Sequence, residues 1–559
     1  MSENIIEQII EATFKGEYKL IGRLVRKARR KGSSNEVIIN ALSTGLIKVS
    51  DKYKVEGMYL DDIIKSAGTF EAGYQSLGLQ DESKAPEERI VLGVLGGPWT
   101  IGTNIVAANL KAHGFEVIDA GSDISPEKIA ETVKKSNAKL VASAIYLMQS
   151  VKELEKLETE LWKQGVRHKI RTILSGPASS KKIAEKLNFD AYVKDVKELI
   201  NCVKAFSEDL KSEMSSYDRV MTSVKHLEPD RVPFMPFAQT FTAKFAGIPF
   251  SVYVSKAEKF VEGQMTAYNA LGWDALCFSS DVGMYAEALG AKVEFPYDDV
   301  PRIVKPVLNH NSMYNDFKSL QIPNPMKSGR LTESIRAIEL CKKEIQEDVP
   351  LIGWTEGPFQ GVTLLAGGDP MQFFYVLEHP DEFKEILDWY ADFEIEVAQS
   401  MYEAGADIIG VGETAAYFMS PNFFEDFCLK PEKKVCDAIK KLNMIPLIHC
   451  CGYVPQCIHF AKETNSGGAI QFDYQVDLEW AKGLIGKEVT IMGNLNYNKI
   501  LSITPQQVYE DCTKHIKIAA QEGGYWLAFG CEIPRDLPLE NLRAILRATK
   551  TAGKYPIQK

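Results

Sequence analysis

From Val232 to Gly530, short apolar runs recur, each followed by a segment long enough for a helix. This rhythm constrains the fold more than any other feature of the chain. Eight candidate strands can be read: Val232–Phe237, Asp274–Phe278, Pro350–Trp354, Asp407–Val411, Pro446–Cys450, Ala469–Phe472, Val489–Gly493 and Trp526–Gly530. Strands that alternate with helices build parallel sheets through crossover connections. Eight such units over about 340 residues is the arithmetic of a (βα)8 TIM barrel with insertions. One insertion, around Val293 to Asn324, is expected to hold an extra hairpin.

The chain has 559 residues, more than a single core needs. Residues 1–86 read as a helical cap, with apolar residues at helical spacing in Ile5–Phe14, Tyr18–Val25, Val37–Val49 and Leu60–Leu79. Residues 87–210 change character. The apolar runs Ile90–Leu95, Phe115–Ile118, Leu140–Ile145 and Thr172–Leu174 alternate with amphipathic helices. The helix opening at Ser125-Pro126-Glu127 has a capping serine and a first-turn proline. This pattern predicts an open, doubly wound, Rossmann-like sheet, whose ligands bind at the carboxyl ends of its strands. The polar stretch Ser207–Ser216 ends that domain. The fold class is therefore α/β: a helical cap (1–86), a Rossmann-like domain (87–210) and a TIM barrel (216–559).

A net charge of −10 argues against nucleic acid or an anionic membrane as partner, since both demand clustered Lys and Arg. The one basic run, Arg23–Lys31, reads as a solvated helix face. No apolar run approaches the ~20 residues of a membrane span, and MSENIIEQII carries acidic residues with no secretion-type core. Ten scattered cysteines fit free thiols and a metal site better than a disulfide framework. A cytoplasmic location is expected.

Functional residues of a TIM barrel sit where its strands end. The fifth strand ends Ile448-His449-Cys450-Cys451-Gly452 and the eighth ends Phe529-Gly530-Cys531-Glu532. Alternate residues of a strand share a face, so His449 and Cys451 can meet one ion, with Cys531 arriving from another strand. Two thiolates and an imidazole suit Zn2+ in tetrahedral geometry. Three protein ligands leave one position open, as catalytic zinc requires. Cys450 should point away and pack, and Cys277, Cys341 and Cys436 read as ordinary buried thiols. Zinc would hold a substrate sulfur as thiolate, a nucleophile able to attack a methyl group on a good leaving group.

Other rim residues offer further roles. Glu413 after the fourth strand, Asp473 after the sixth and Asn494 after the seventh can orient substrate or support the zinc; each can equally cap a helix. Asp281 ends the second strand in the same way. Tyr417, Tyr474 and Trp354 are candidates to line a pocket. Glu532 adjoins a ligand but should point sideways.

The stretch from about Tyr217 to Tyr555 resembles the uroporphyrinogen decarboxylase superfamily. The matching segments are Asp281–Gly290, Glu356-Gly357-Pro358-Phe359, Ser420–Phe424, Gly493-Asn494-Leu495 and Cys531–Leu539. Within that superfamily, His449-Cys450-Cys451-Gly452 with Cys531 looks like the zinc motif of methylcobalamin:coenzyme M methyltransferases and their relatives. The resemblance implies zinc on His449, Cys451 and Cys531, and methyl transfer between a corrinoid cobalt and a thiol. The decarboxylases open with an arginine-rich substrate clamp. Here the first strand reads Arg231-Val232-Pro233-Phe234-Met235-Pro236-Phe237, with no arginine pair after it.

Residues 1 to about 208 resemble the corrinoid-binding proteins of methanogens and acetogens. Lys54–Leu60 leading to Ser66-Ala67 fits the cap, and Gly96–Val106 fits the cobalamin loop. Ser143, Ser175 and Gly176 fit positions around the nucleotide tail. The family's loop is D-x-H-x-x-G, whose histidine ligates cobalt. Here Gly97 and Trp99 replace the aspartate and histidine, Gly102 remains, and neither replacement can ligate cobalt. One reading keeps a bound corrinoid with Trp99 packed beneath the ring, which should ease reduction of cobalt(II) to cobalt(I). The other is a domain that has lost its cofactor and serves for docking.

The function expected is corrinoid-dependent methyl transfer with a zinc-activated substrate, by resemblance a thiol. The alternatives are a corrinoid carrier or activator with an inert barrel, or a demethylase of a thioether, methoxy or halomethane donor. The partner is a small methyl donor or acceptor, with a separate corrinoid protein as the alternative methyl carrier.

Overall fold

A computed structural model describes all residues except 1–2, 57–59, 79–87, 98–99, 346, 370 and 559. Gly57–Tyr59 of the cap pattern and Trp99 of the cobalamin loop therefore lie outside the described residues. The chain divides into two compact units, Met1–Ser212 and Glu213–Lys559.

The first unit begins with four helices: α1 (Glu3–Phe14), α2 (Tyr18–Arg30), α3 (Asn35–Glu56) and α4 (Leu60–Gln75). In α2 the buried residues are Ile21, Leu24, Val25 and Ala28, one stripe at helical spacing. They pack with Ile5, Ile9, Ile38 and Leu42 into a single core. The basic residues of α2 fall on its other side.

A five-stranded parallel sheet follows: β1 (Arg89–Leu95), β2 (Glu116–Ser122), β3 (Leu140–Ile145), β4 (Arg171–Ser175) and β5 (Ala191–Tyr192). Its order is β2-β1-β3-β4-β5. Side chains from its strands enter two separate clusters, one through Val91, Val141 and Leu174, the other through Ile90, Leu140 and Ile173. Such two-sided burial explains why the central strands read as continuous apolar runs. Ser125 caps its helix as its sequence suggests, accepting from the Lys128 N–H at 3.3 Å.

The second unit is built on β6 (Leu276–Cys277), β9 (Leu351–Glu356), β10 (Ile408–Gly412), β11 (Ile445–Cys450), β12 (Ala469–Phe472), β13 (Thr490–Leu495) and β14 (Tyr525–Phe529). These strands pair in chain order as one parallel sheet. Between them, β7 (Lys292–Glu294) and β8 (Arg302–Lys305) form the antiparallel hairpin expected of the insertion.

The first expected strand, Val232–Phe237, forms no regular ladder. Pro233 and Pro236 remove two backbone donors from six residues, so only fragments of pairing survive. Those fragments still close the barrel. Met235 N–H donates to Leu527 O (3.0 Å) and Leu527 N–H to Pro233 O (2.9 Å) on one side, and Asp274 N–H to Phe234 O (2.9 Å) on the other. Asp274 also falls outside regular strand. Among the described residues, no helix is long and apolar enough to cross a membrane.

The amino end of the barrel is held by Asp274, which is fully buried. Its carboxylate accepts from Arg219 (2.6 Å), both Nη atoms of Arg231 (2.8 and 2.9 Å), Ser216 Oγ (2.9 Å) and the Phe234 N–H (2.8 Å). The two arginines and these donors outweigh burial and hold its carboxyl well below the usual range. The Asp274→Ala variant leaves Arg231, which has no other acidic partner among the described residues, unpaired in the interior. It should lower barrel stability by about 3–5 kcal/mol, read as a shift in the urea midpoint of the barrel.

Candidate functional site

His449 stands on β11 in register with Gly412 of β10 and Gln471 of β12. Its Nε2 lies 2.9 Å from Cys451 Sγ, and Cys451 Sγ lies 3.0 Å from Cys531 Sγ. The remaining edge, Cys531 Sγ to His449 Nε2, is 3.8 Å. All three donor atoms fall within 4.8 Å of one another, and among the described residues no other three His, Cys, Asp or Glu donors gather so closely. His449 is 4% exposed, while the two thiols are partly open.

The orientation of the imidazole is set from behind. Gln471, fully buried, donates its Nε2 to Phe529 O at 2.9 Å, which turns its Oε1 toward His449 Nδ1, also at 2.9 Å. The carbonyl can only accept, so Nδ1 carries the ring proton and the Nε2 lone pair faces the thiols. A neutral imidazole and two sulfurs aimed at one point fit a zinc ion by donor type and by convergence. The hydrogen bond between Cys531 and Cys451, with burial, pushes the Cys531 thiol up; His449 opposes this.

Gln471 was not among the residues singled out from sequence. Its one signal is position, two residues before Asp473 on the inner face of β12. Glu532 does point sideways, to a purpose. Its Oε1 accepts from the Gln239 N–H (3.1 Å), the Thr240 N–H (2.7 Å) and Thr240 Oγ1 (2.7 Å), tying the Cys531 loop to the loop after the first barrel segment.

The other rim candidates hold loops in place. Glu413 is fully buried and caps the helix Pro358–Leu365, accepting from the N–H groups of Phe359 (3.2 Å) and Gln360 (2.8 Å). That helix follows β9, so Glu413 caps a neighbouring βα unit and not its own. Burial pushes its carboxyl up to about 8. Its N–H also donates to His449 O at 2.8 Å. Asp473 accepts from the Gln475 N–H (3.1 Å) and Tyr497 Oη (3.2 Å). Asn494 donates to Asp473 O (3.2 Å) and Val476 O (2.8 Å), fixing the turn that carries Asp473. Asp281 pairs with Arg330. Trp354 stacks on Phe237 with centroids 4.6 Å apart, and both rings lie 5.6 Å from the His449 ring. Tyr474 meets Tyr497 edge-on, and Tyr417 lies against Gly452. Cys450 is fully buried and hydrogen-bonded with Cys457, away from the cluster.

In the first unit, Ser143 stands within β3, two residues before its end, Ser175 ends β4 and Gly176 follows it. Ser143 is fully buried and its Oγ has no hydrogen-bond partner. A polar ligand tail would satisfy that orphaned group. Ser175 Oγ reaches Ser143 O at 3.5 Å. Gly176 has φ +101°, and a Cβ there would lie 2.3 Å from Ile145 O, so only glycine fits. A Cβ on Gly102 would lie 2.3 Å from the Tyr146 hydroxyl. Both glycines thus let the chain approach this strand edge closely. The serine edge fits a corrinoid tail, with Trp99 outside the described residues.

The ligand set makes a direct expectation. Cys531→Ala should abolish stoichiometric zinc binding with an unchanged far-UV circular dichroism spectrum. Gln471→Ala, which frees the imidazole, should weaken zinc about 10–100-fold. Both are read by competition with a chromophoric chelator.

Residues 215–552 match the family described as uroporphyrinogen decarboxylase (URO-D), and residues 88–199 match the B12 binding domain. Among curated proteins, a methylcobamide:CoM methyltransferase MtbA of Methanosarcina mazei is 26% identical over 346 residues, 61% of this chain and 98% of that protein. A uroporphyrinogen decarboxylase of a Wolbachia from Brugia malayi is 28% identical over 289 residues, 50% of this chain and 77% of that protein. Among solved structures, a methyltransferase from Methanosarcina mazei shares the fold, with a TM-score of 0.54 at 21% identity, covering 60% of this chain and 99% of the other. The chain belongs to the uroporphyrinogen decarboxylase family through residues 215–552, and carries a B12 binding domain ahead of it.

Proposed function

We propose that this chain is a zinc-dependent, corrinoid-linked methyltransferase. One observation carries the reading: two thiols and an oriented imidazole converge at the carboxyl ends of barrel strands, in a chain that also carries a B12 binding domain. The methyltransferase name of the M. mazei relative supports it.

His449 Nε2, Cys451 and Cys531 would hold the zinc. When bound, zinc supplies a Lewis acid that keeps a substrate sulfur deprotonated at neutral pH. Gln471 holds the imidazole proton on Nδ1, so Nε2 stays available. Glu532 fixes the loop that presents Cys531. Phe237 and Trp354 make an apolar wall beside His449. Ser143, Ser175, Gly176 and Gly102 would receive the corrinoid tail. Carrying both sites on one chain raises their effective concentration, provided the units can move together.

The decarboxylase relatives suggest another activity. A substrate bearing many carboxylates needs free cations. Arg231, the arginine at the first barrel segment, spends both Nη atoms on Asp274. A corrinoid carrier with an inert barrel would have no use for an oriented three-donor cluster. The expected setting is the cytoplasm, with a small methyl donor or acceptor, and a separate corrinoid protein as the alternative methyl carrier.

Anaerobic, zinc-loaded protein mixed with methylcob(III)alamin and a panel of thiols should produce cob(I)alamin with at least one thiol, seen by visible spectroscopy. The Cys531→Ala variant should produce none. Equal production by the variant would contradict the zinc role.

A further inference from the structure

One acidic residue at the mouth of the barrel takes no part in the loop-fixing described above. Glu356 ends β9, is 5% exposed and stands in register with Gly412, which in turn is in register with His449. In a parallel sheet those three positions share one face and one level. Gly412 contributes no side chain there. A Cβ on it would lie 2.9 Å from Glu356 Oε2 and 3.3 Å from Trp354 Nε1. The Glu356 carboxyl therefore lies over Gly412 of β10, the strand between β9 and the strand that carries His449. Trp354, two residues earlier on the same face, spans the same gap and reaches the His449 ring.

The surroundings of Glu356 differ from those of the other rim acids. Asp281 is neutralised by Arg330, Glu532 accepts three hydrogen bonds, and Asp473 accepts two. Glu356 receives the Trp354 indole N–H and has no cationic partner among the described residues. The ionisable groups that act on it are Glu413 and Asp281, both acidic, so neither favours its carboxylate. Tyr285, packed beside it, gives its hydroxyl to Trp354 O. Burial first, then the two acids, push the Glu356 carboxyl well above the usual range. That environment favours the protonated carboxylic acid over the carboxylate, and so a proton to give.

We propose that Glu356 is a catalytic acid that protonates the leaving oxygen of an O-methyl donor, an alcohol or methyl ether, so that the chain works in the demethylating direction. This rests on the methyl-transfer reading above and adds its direction and substrate class. As the methyl–oxygen bond breaks, its electron pair stays on oxygen, and oxygen takes the Glu356 proton. The methyl group would form its new bond with an electron pair supplied by the corrinoid, when one is bound. Glu356 is left as carboxylate and regains its proton from water. Without the acid, an alkoxide would have to depart from a buried site.

The test compares the full chain with Glu356→Gln, which puts a neutral amide where a neutral acid stood and so keeps the packing and charge. In the infrared difference spectrum at neutral pH, wild type should show the carbonyl stretch of a protonated carboxylic acid that the variant lacks. Zinc content should be equal in the two. With zinc-loaded protein and cob(I)alamin, wild type should demethylate methanol or methoxybenzenes, and the variant should lose about 10²–10⁴-fold. With trimethylsulfonium, whose leaving group departs neutral, the loss should be under about ten-fold.

Four results would overturn the proposal: no acid carbonyl band, zinc lost from the variant, equal losses with both donor types, or a wild type inert toward every O-methyl donor. If that inert protein still makes cob(I)alamin from methylcobalamin and a thiol, the direction is wrong and the methyltransferase reading stands. If it does neither, the methyltransferase reading falls with it.

Discussion

The site depends on a chain of two hydrogen bonds, from Gln471 Nε2 to Phe529 O and between His449 Nδ1 and Gln471 Oε1. The chain crosses from β11 to β12 and ends on the strand that delivers Cys531. It fixes the ring proton, the ring plane and the side from which a metal is met. It also links the His449-Cys451 edge to the Cys531 edge through rigid backbone. Gln471 is neutral, so two thiolates and a divalent ion held there would leave the site without net charge.

The electrostatics of the two barrel ends are opposed. At the amino end, Asp274 is over-supplied with cations and donors and serves stability alone. At the carboxyl end, buried glutamates meet few cations. Burial pushes up Glu356, Glu394, Glu413 and Glu432, and the two oxygens of Glu432 have no hydrogen-bond partner. Catalytic barrels often tolerate such costs at the functional end, where perturbed groups are useful.

The barrel was legible in sequence because seven of its strands keep the βα rhythm. The remaining one, the first, at Val232–Phe237, shows where a pattern of apolar residues misleads: proline has apolar bulk but no N–H for a ladder. The His449-x-Cys451 pair was legible because strand parity is local. Gln471 was not, since a buried glutamine on a strand has no signature until its two partners are known. The cap made by Glu413 was hidden for the same reason, its helix lying some fifty residues upstream of it. In the first unit the resemblance points to Ser143, Ser175 and Gly176, but the need for glycine at 176 follows only from its φ and the nearness of Ile145 O. Nothing in sequence showed that Tyr146 sits over Gly102, because that approach is set by the crossing of a helix and a strand edge.

The measurement that bears most directly on the whole account is X-ray absorption at the zinc edge of the purified chain. Two sulfur neighbours, one imidazole nitrogen and one further light atom at the open position are the result the geometry predicts. A protein that retains no zinc, or a zinc surrounded by oxygen and nitrogen alone, would contradict it.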